Sequence, residues 1–273
     1  MSNEPKTTVR LDQLVLNLGL VASRSRARDA VQRGTVRVNG RVVTKPSSTF
    51  PEDVTIEIDD PVQAYVSRAA LKLKAGLDHF ALSPEGLDCL DIGASTGGFT
   101  EVLLHAGAAH VISVDVGHGQ FHPRLEADPR VTNIEGLNAR VLDEAHLEDR
   151  EIGMVVSDVS FISLKLALPP ALDLAVPGAL CILLVKPQFE AGRDFVSKAG
   201  LLKDPSTAPE VAAELERWLV EEMGWESLGM IPSPIAGGDG NEEFLLAGRK
   251  PLDDDAEADE EPDAGADAGE ETA

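Results

Sequence analysis

Chemistry-bearing residues gather first in the run LDCLDIGASTGGFTEVLL, residues 87–104. An apolar, strand-like stretch closes on Asp91. A loop of small residues follows (Gly93, Ala94, Ser95, Thr96, Gly97, Gly98), and a helical pattern opens near Phe99. Glycines permit a tight turn and let a ligand lie against bare backbone. The spacing is neither a Gly-Lys-Ser/Thr phosphate loop nor a clean G-x-G-x-x-G. An acid on the strand before the loop sits badly against a pyrophosphate but suits an ammonium group. Further on, VISVDVG ends a second strand in Asp115, followed by Val116. An acid at that place can accept hydrogen bonds from two ribose hydroxyls. Together these features fit S-adenosylmethionine, with its amino-acid end near Asp91 and the loop, and its ribose on Asp115. A plain strand–helix turn is the alternative, and the placement of Asp115 weakens it.

Such a site needs a sheet to hold it. Over residues 67–250, strand-like runs fall at Leu87–Ile92, Val111–Val116, Val131–Ile134, Met154–Asp158, Ala179–Lys186, Ser227–Ile231 and Glu243–Ala247. Helical stretches lie between most of them; Val211, Leu215, Trp218 and Leu219 recur at helix spacing. Strands alternating with helices predict an α/β, Rossmann-like, mostly parallel sheet that binds ligands at its carboxyl edge.

A separate module precedes it, over residues 9–60. Leu11, Leu14, Val15 and Leu18 mark one helix. Ser23 is a good N-cap for a second, with Ala27, Ala30 and Val31 inside and Gly34 closing it. TVRVNGRVV places alternating apolar residues around Asn39-Gly40, a strong hairpin signal, and DVTIEI adds a strand. The chain as a whole carries 47 acids against 24 bases, a formal charge of −23. Residues 7–45 nevertheless hold eight bases (Arg10, Arg24, Arg26, Arg28, Arg33, Arg37, Arg41, Lys45) against Asp12 and Asp29. A helix and hairpin bearing these arginines make one guanidinium surface suited to RNA phosphates. A merely solvated face is the alternative. Residues 61–66 (PVQAYV) read as a linker. Residues 251–273, with 11 acids and no base, read as a disordered acidic tail.

Composition narrows the classes further. Cys89 and Cys181 sit in apolar runs and make neither a disulfide framework nor a zinc site. His118 and His122 are four apart, but Gly119 and Pro123 disfavour a helix there, so no metal is expected. The start has no signal-type apolar stretch, and Ala179–Val185 is far short of the roughly 20 residues that span a bilayer. A cytoplasmic protein with no membrane partner is expected.

The first module, LDQLVLNLGLVASRSRARDAVQRGTVRVNGRVV, resembles the RNA-binding domain named after ribosomal small-subunit protein four. That resemblance implies binding of structured, usually ribosomal, RNA. The larger segment resembles the FtsJ-like RNA ribose methyltransferases. LDIGASTGGFTEVLL, VSDVSFISL, LVKPQFEAG and GNEEFLLAG are most similar to the TlyA group, also labelled haemolysin A, which joins the same two domains in the same order. The resemblance covers about residues 9–250. It implies S-adenosylmethionine-dependent 2′-O-methylation of ribosomal RNA, on cytidine, with ribosomal RNA or subunits as partner.

It also implies a catalytic tetrad. Its counterparts here are Lys72 in SRAALKLKAG, Asp158 in VSDVSF, Lys186 in LVKPQFE and Glu243 in GNEEFLL. Lys74 and Glu242 are close neighbours, and the family pattern favours Lys72 and Glu243. Lys186 ends a very apolar strand, where burial favours a neutral amine able to take the proton of a ribose hydroxyl. Asp158 and Lys72 would orient that base and balance its charge, and Glu243 would fix the lysines or the ribose. Asn138, in GLNAR, is a candidate for contact near the adenine. No Asn/Asp-Pro-Pro-aromatic run of amino-group methyltransferases is present; SDVSF stands in its place. Two other readings remain: an RNA-binding assembly factor without catalysis, and a cytolysin.

Overall fold

The computed structural model describes residues 8–21, 23–60, 65–237 and 240–252. The expected tail from residue 253 onward, and residues 61–64 of the expected linker, lie outside the described residues. The chain divides into two compact units, Met1–Leu71 and Lys72–Ala273.

In the first unit β1 (Thr8–Arg10) leads into α1 (Leu11–Asn17), and α2 (Arg24–Gln32) follows. Ser23 caps α2 by accepting from the Arg26 backbone N–H at 3.3 Å. β2 (Val36–Val38) and β3 (Arg41–Val42) form the expected hairpin. Asn39 and Gly40 carry φ values of 49° and 77°, the left-handed pair that a two-residue turn of matching twist requires. β5 (Ile56–Ile58) pairs on the other side of β2, while β4 (Thr49–Pro51) pairs with β1. Leu11, Val15, Ala27, Ala30, Val31, Val36 and Val38 close the core. β1 and β4 go beyond the sequence expectation. Their sequences, TVR and TFP, carry no alternation of apolar residues.

The second unit is the expected α/β sheet. Its strands are β6 (Asp88–Ile92), β7 (His110–Asp115), β8 (Val131–Glu135), β9 (Ile152–Ser157), β10 (Ala175–Val185), β11 (Glu226–Pro232) and β12 (Phe244–Arg249). Their spatial order is β11-β12-β10-β9-β6-β7-β8. β8, β7, β6, β9 and β10 run parallel, and β12 is antiparallel to both β10 and β11. The helices are α3 (Ala70–Phe80), α4 (Gly98–His105), α5 (Pro123–Glu126), α6 (Leu164–Ala167), α7 (Pro169–Asp173), α8 (Pro187–Glu190) and α9 (Ala208–Glu221). Leu90, Ile112, Val155, Leu183 and Leu246 build the sheet's core, with Leu215, Trp218 and Leu219 of α9 packed in the same cluster. Strand order reverses between β6 and β9, where open α/β sheets leave a crevice. No helix among the described residues is long and apolar enough to cross a membrane.

Candidate active site

At that reversal the chain leaving β6 and the chain leaving β9 run side by side. A Cβ on Gly93 would lie 2.9 Å from the Val159 nitrogen and 3.0 Å from the Asp158 carbonyl carbon. Only glycine admits so close an approach, and its φ of 85° also favours glycine. A cleft of about 540 Å³ opens there. Of the residues expected to hold a cofactor, Gly93, Ser95, Asp115, Val116, Asn138 and Asp158 line it. Ala94, Thr96, Gly97, Gly98 and Phe99 shape the loop and start α4 without lining the cleft. At Gly97, with φ 90°, a Cβ would strike Leu125 at 2.5 Å.

Asp91 is placed differently from the expected contact with an ammonium group. Strand alternation aims it at α4, not at the cleft. It is fully buried; its Oδ2 accepts from the Thr100 hydroxyl at 2.7 Å, and that hydroxyl also meets Ser113 at 2.8 Å. Burial pushes the carboxyl up to about 7, and Oδ1 has no hydrogen-bond partner. Asp115 does stand at the cleft. Its two oxygens accept from the backbone N–H groups of Ser95 and Gly117, each at 2.7 Å. Each carboxylate oxygen has two lone pairs, so both retain capacity for a ligand. Val116 beside it is 69% exposed. Asn138 accepts from the Arg140 N–H at 3.1 Å and starts a short turn at the rim.

Two ion pairs stand beyond the ends of β9, β10 and the start of the last strand, β12. Lys186, leaving β10, places Nζ 2.6 Å from Asp158 Oδ1 and 2.7 Å from Ser160 Oγ. Lys72 of α3 and Glu243, the residue before β12, meet at 2.5 Å, and both are buried. Lys74 instead pairs with Asp78 on the exposed side of the helix, and Glu242 faces solvent. The last registered partners of β10 and β12 are Val185 and Phe244. Lys186 and Glu243 are the next residues beyond that pair on the two strands.

Several supporting residues carry no signal in the sequence. Glu190 of α8 accepts from the Ser163 hydroxyl at 2.5 Å and the Leu164 N–H at 2.9 Å. It thereby ties the segment after Lys186 to the segment after Asp158, and burial raises its carboxyl pKa. The Asn241 side chain donates to the Gly200 carbonyl at 3.0 Å and accepts from the Leu202 N–H at 3.2 Å. It anchors the loop after α8 two residues ahead of Glu243. Glu135 accepts from the Gly119, Gln120 and Phe121 N–H groups, and these bonds, Gly119's foremost, hold its carboxylate below the usual range. Phe161, 89% exposed with φ 67°, presents its ring at the cleft, 5.2 Å from that of Phe189.

The arginines of the first unit divide. Arg10 and Arg24 both hold the buried Asp12. Arg26 donates to the Tyr65 and Val66 carbonyls at 2.7 and 2.6 Å. Arg33 grips Asp60 with two nitrogens and also meets Asp29. The Arg37 side chain reaches the Gly40 carbonyl, at 3.5 Å, while the exposed side chains of Arg28 and Arg41 bond no other described residue. Of the seven arginines expected at an RNA surface, Arg28, Arg37 and Arg41 hold no carboxylate, while Arg10 and Arg24 pair with Asp12 yet stay about half exposed. Cys89 and Cys181 are buried free thiols, and burial pushes Cys89 up to about 12. No cluster of metal-ligating side chains occurs among the described residues.

Comparison with known proteins places these features. The family model for FtsJ-like methyltransferases matches residues 65–250, and that for the S4 domain matches residues 9–56. The 16S/23S rRNA (cytidine-2′-O)-methyltransferase TlyA of Mycobacterium tuberculosis is 42% identical over 239 residues, 87% of this chain and 88% of that protein. Hemolysin A of Brachyspira hyodysenteriae is 38% identical over 87% of this chain and 98% of its own length. A solved structure from Streptococcus thermophilus, whose name refers to hemolysin, superposes with a TM-score of 0.69 at 36% identity, covering 92% of both chains.

Proposed function

Because the chain belongs to the FtsJ-like methyltransferase family, we propose that it methylates the 2′-hydroxyl of a cytidine in ribosomal RNA, with S-adenosylmethionine as donor and Lys186 as general base. The observation that carries this reading is the Lys186–Asp158 pair: Asp158 lines the cleft and holds the amine beside it. Ribosomal RNA as substrate and cytidine as nucleoside follow the name of the Mycobacterium relative. Cytoplasm is the compartment in which such a substrate is met.

The cleft residues fit the donor. Gly93 offers bare backbone, Asp115 keeps acceptor capacity for ribose hydroxyls, and Val116 gives an apolar surface beside it. Asn138 stands where an adenine edge would be met. Asp91, with one oxygen unpartnered beneath the loop, supports the loop through Thr100 without direct contact with the donor. When bound, the donor supplies a methyl group already activated as a sulfonium.

The chain's own residues then have to place a hydroxyl and remove its proton. Lys186 Nζ, in its neutral form, takes the ribose hydroxyl proton. In the resting pair it donates to Asp158 and Ser160. The ammonium formed in the reaction is matched by Asp158 without any rearrangement. Lys72 and Glu243 fix the sheet edge facing Lys186. Phe161 offers a stacking face for a nucleobase next to the cleft.

Residues 9–60 serve as the RNA-anchoring domain, through Arg28, Arg37 and Arg41. Residues 61–66 serve as a linker to the methyltransferase domain at 67–250. The test is ribose-methylation mapping of ribosomal RNA from cells with and without the protein. A 2′-O-methylcytidine that disappears with the gene and returns with the wild-type protein, but not with Lys186→Ala, is the expected result. Unchanged maps would overturn the reading.

A further inference from the structure

Opposite the glycine loop, the segment after Asp115 brings Gln120 to the cleft. Its backbone N–H donates to Glu135 at 3.1 Å, and the neighbouring Gly119 N–H donates to the same carboxylate at 2.6 Å. The loop is therefore pinned from below. The side-chain Oε1 accepts from the Ser95 hydroxyl at 3.2 Å, which fixes which way the amide points. A Cβ on Gly117 would lie 2.8 Å from Gln120 Nε2 and 3.1 Å from Asp115 Oδ1. The bare flank of Gly117 is what lets the amide and the carboxylate come together. Among the described residues Nε2 donates to no acceptor. A free donor and a carboxylate with spare lone pairs thus both flank Gly117 at the cleft.

That pairing has a chemical complement in a vicinal diol. A hydroxyl that donates its hydrogen to Asp115 still has lone pairs, and the adjacent amide N–H can use one of them. We propose that Gln120 is a further donor-binding residue, whose amide Nε2 hydrogen-bonds a ribose hydroxyl of the nucleoside held by Asp115. The proposal rests on the reading that S-adenosylmethionine occupies this cleft. It assigns to Gln120 a contribution to recognising a ribonucleoside in preference to its deoxy counterpart.

The experiment is calorimetric binding of S-adenosylhomocysteine and of its 2′-deoxy and 3′-deoxy analogues to the full chain. Gln120→Leu is expected to bind S-adenosylhomocysteine about tenfold more weakly than wild type, within what one hydrogen bond contributes. The loss should vanish for the analogue that lacks the contacted hydroxyl. Gln120→Glu keeps an acceptor for Ser95 but removes the donor, and should show at least the same loss; it serves if the leucine variant fails to fold. Unchanged affinity in both variants overturns the proposal. So does equal weakening toward all three ligands, which would mean that Gln120 only bridges the two loops. Wild-type protein that binds none of the three would overturn the donor reading itself, a separate failure.

Discussion

The two flanks of the crevice hold their carboxylates in different ways. On the β6–β7–β8 side, Asp115 and Glu135 are fixed by backbone N–H groups, with no ammonium or guanidinium in their hydrogen bonds. On the β9–β10–β12 side, Asp158 and Glu243 are each fixed by a buried lysine. A peptide N–H does not titrate, so the first flank keeps its shape at any working pH. On the second flank each carboxylate instead meets an ammonium donor, and the proposed mechanism uses the Lys186 amine to move a proton. The same contrast recurs among the arginines of the first unit, where Arg33 is paired with Asp29 and Asp60 while the Arg28 side chain is exposed.

The sharpest way to break this division is Lys186→Ala. Methyl transfer should fall by roughly 10²–10⁴-fold, the usual worth of a general base, while calorimetric affinity for S-adenosylhomocysteine stays as in wild type. Weakened affinity would mean that the flanks are not separate. Next, Lys72→Met leaves Glu243 buried and unmatched, at a cost of about 3–5 kcal/mol. Chemical denaturation should register that loss, and Lys72→Met with Glu243→Leu should recover most of it without recovering activity. A destabilised double variant would contradict a simple pair. Among the arginines, Arg28→Glu with Arg41→Glu should flatten the salt dependence of RNA binding by about one unit of slope for each phosphate no longer held. An unchanged slope would move the RNA surface elsewhere.

The smallest effect concerns Asp91. In the fold its carboxyl keeps a proton up to about pH 7, against 3.8 for the free group. Between those values the folded state holds more protons, so this group's contribution to stability falls as pH rises and levels off above 7. Asp91→Asn should therefore gain on wild type in melting temperature from pH 4 to pH 8. Parallel melting curves would contradict the raised value.

Much of the fold was legible in the sequence. The central strands of the sheet show as apolar runs because burial on both faces writes them continuously, while the edge strands β8 and β11 are only half-buried and read more faintly. Ser23 and Asn39-Gly40 are equally plain, since a cap or a tight turn is decided by its own few residues. The site was only partly legible. Choosing Lys72 over Lys74, and Glu243 over Glu242, needed a family resemblance, because each pair differs only in which way its helix or strand turns. Glu190, Asn241 and Gln120 left no local signal; their partners lie 25 to 41 residues away. The charge of the first module was easy to count. The engagement of Arg33 with Asp60, 27 residues along the chain, could not be read from that count.

At the centre of the proposed mechanism a ribose hydroxyl would give its proton to Lys186 and take a methyl group. Purified protein, ribosomal subunits and methyl-labelled S-adenosylmethionine test it directly, with the product digested to nucleosides and identified by mass. Label is predicted in a 2′-O-methylnucleoside with wild-type protein, and none with Lys186→Ala. Label on a base, or an undiminished yield from Lys186→Ala, would contradict it.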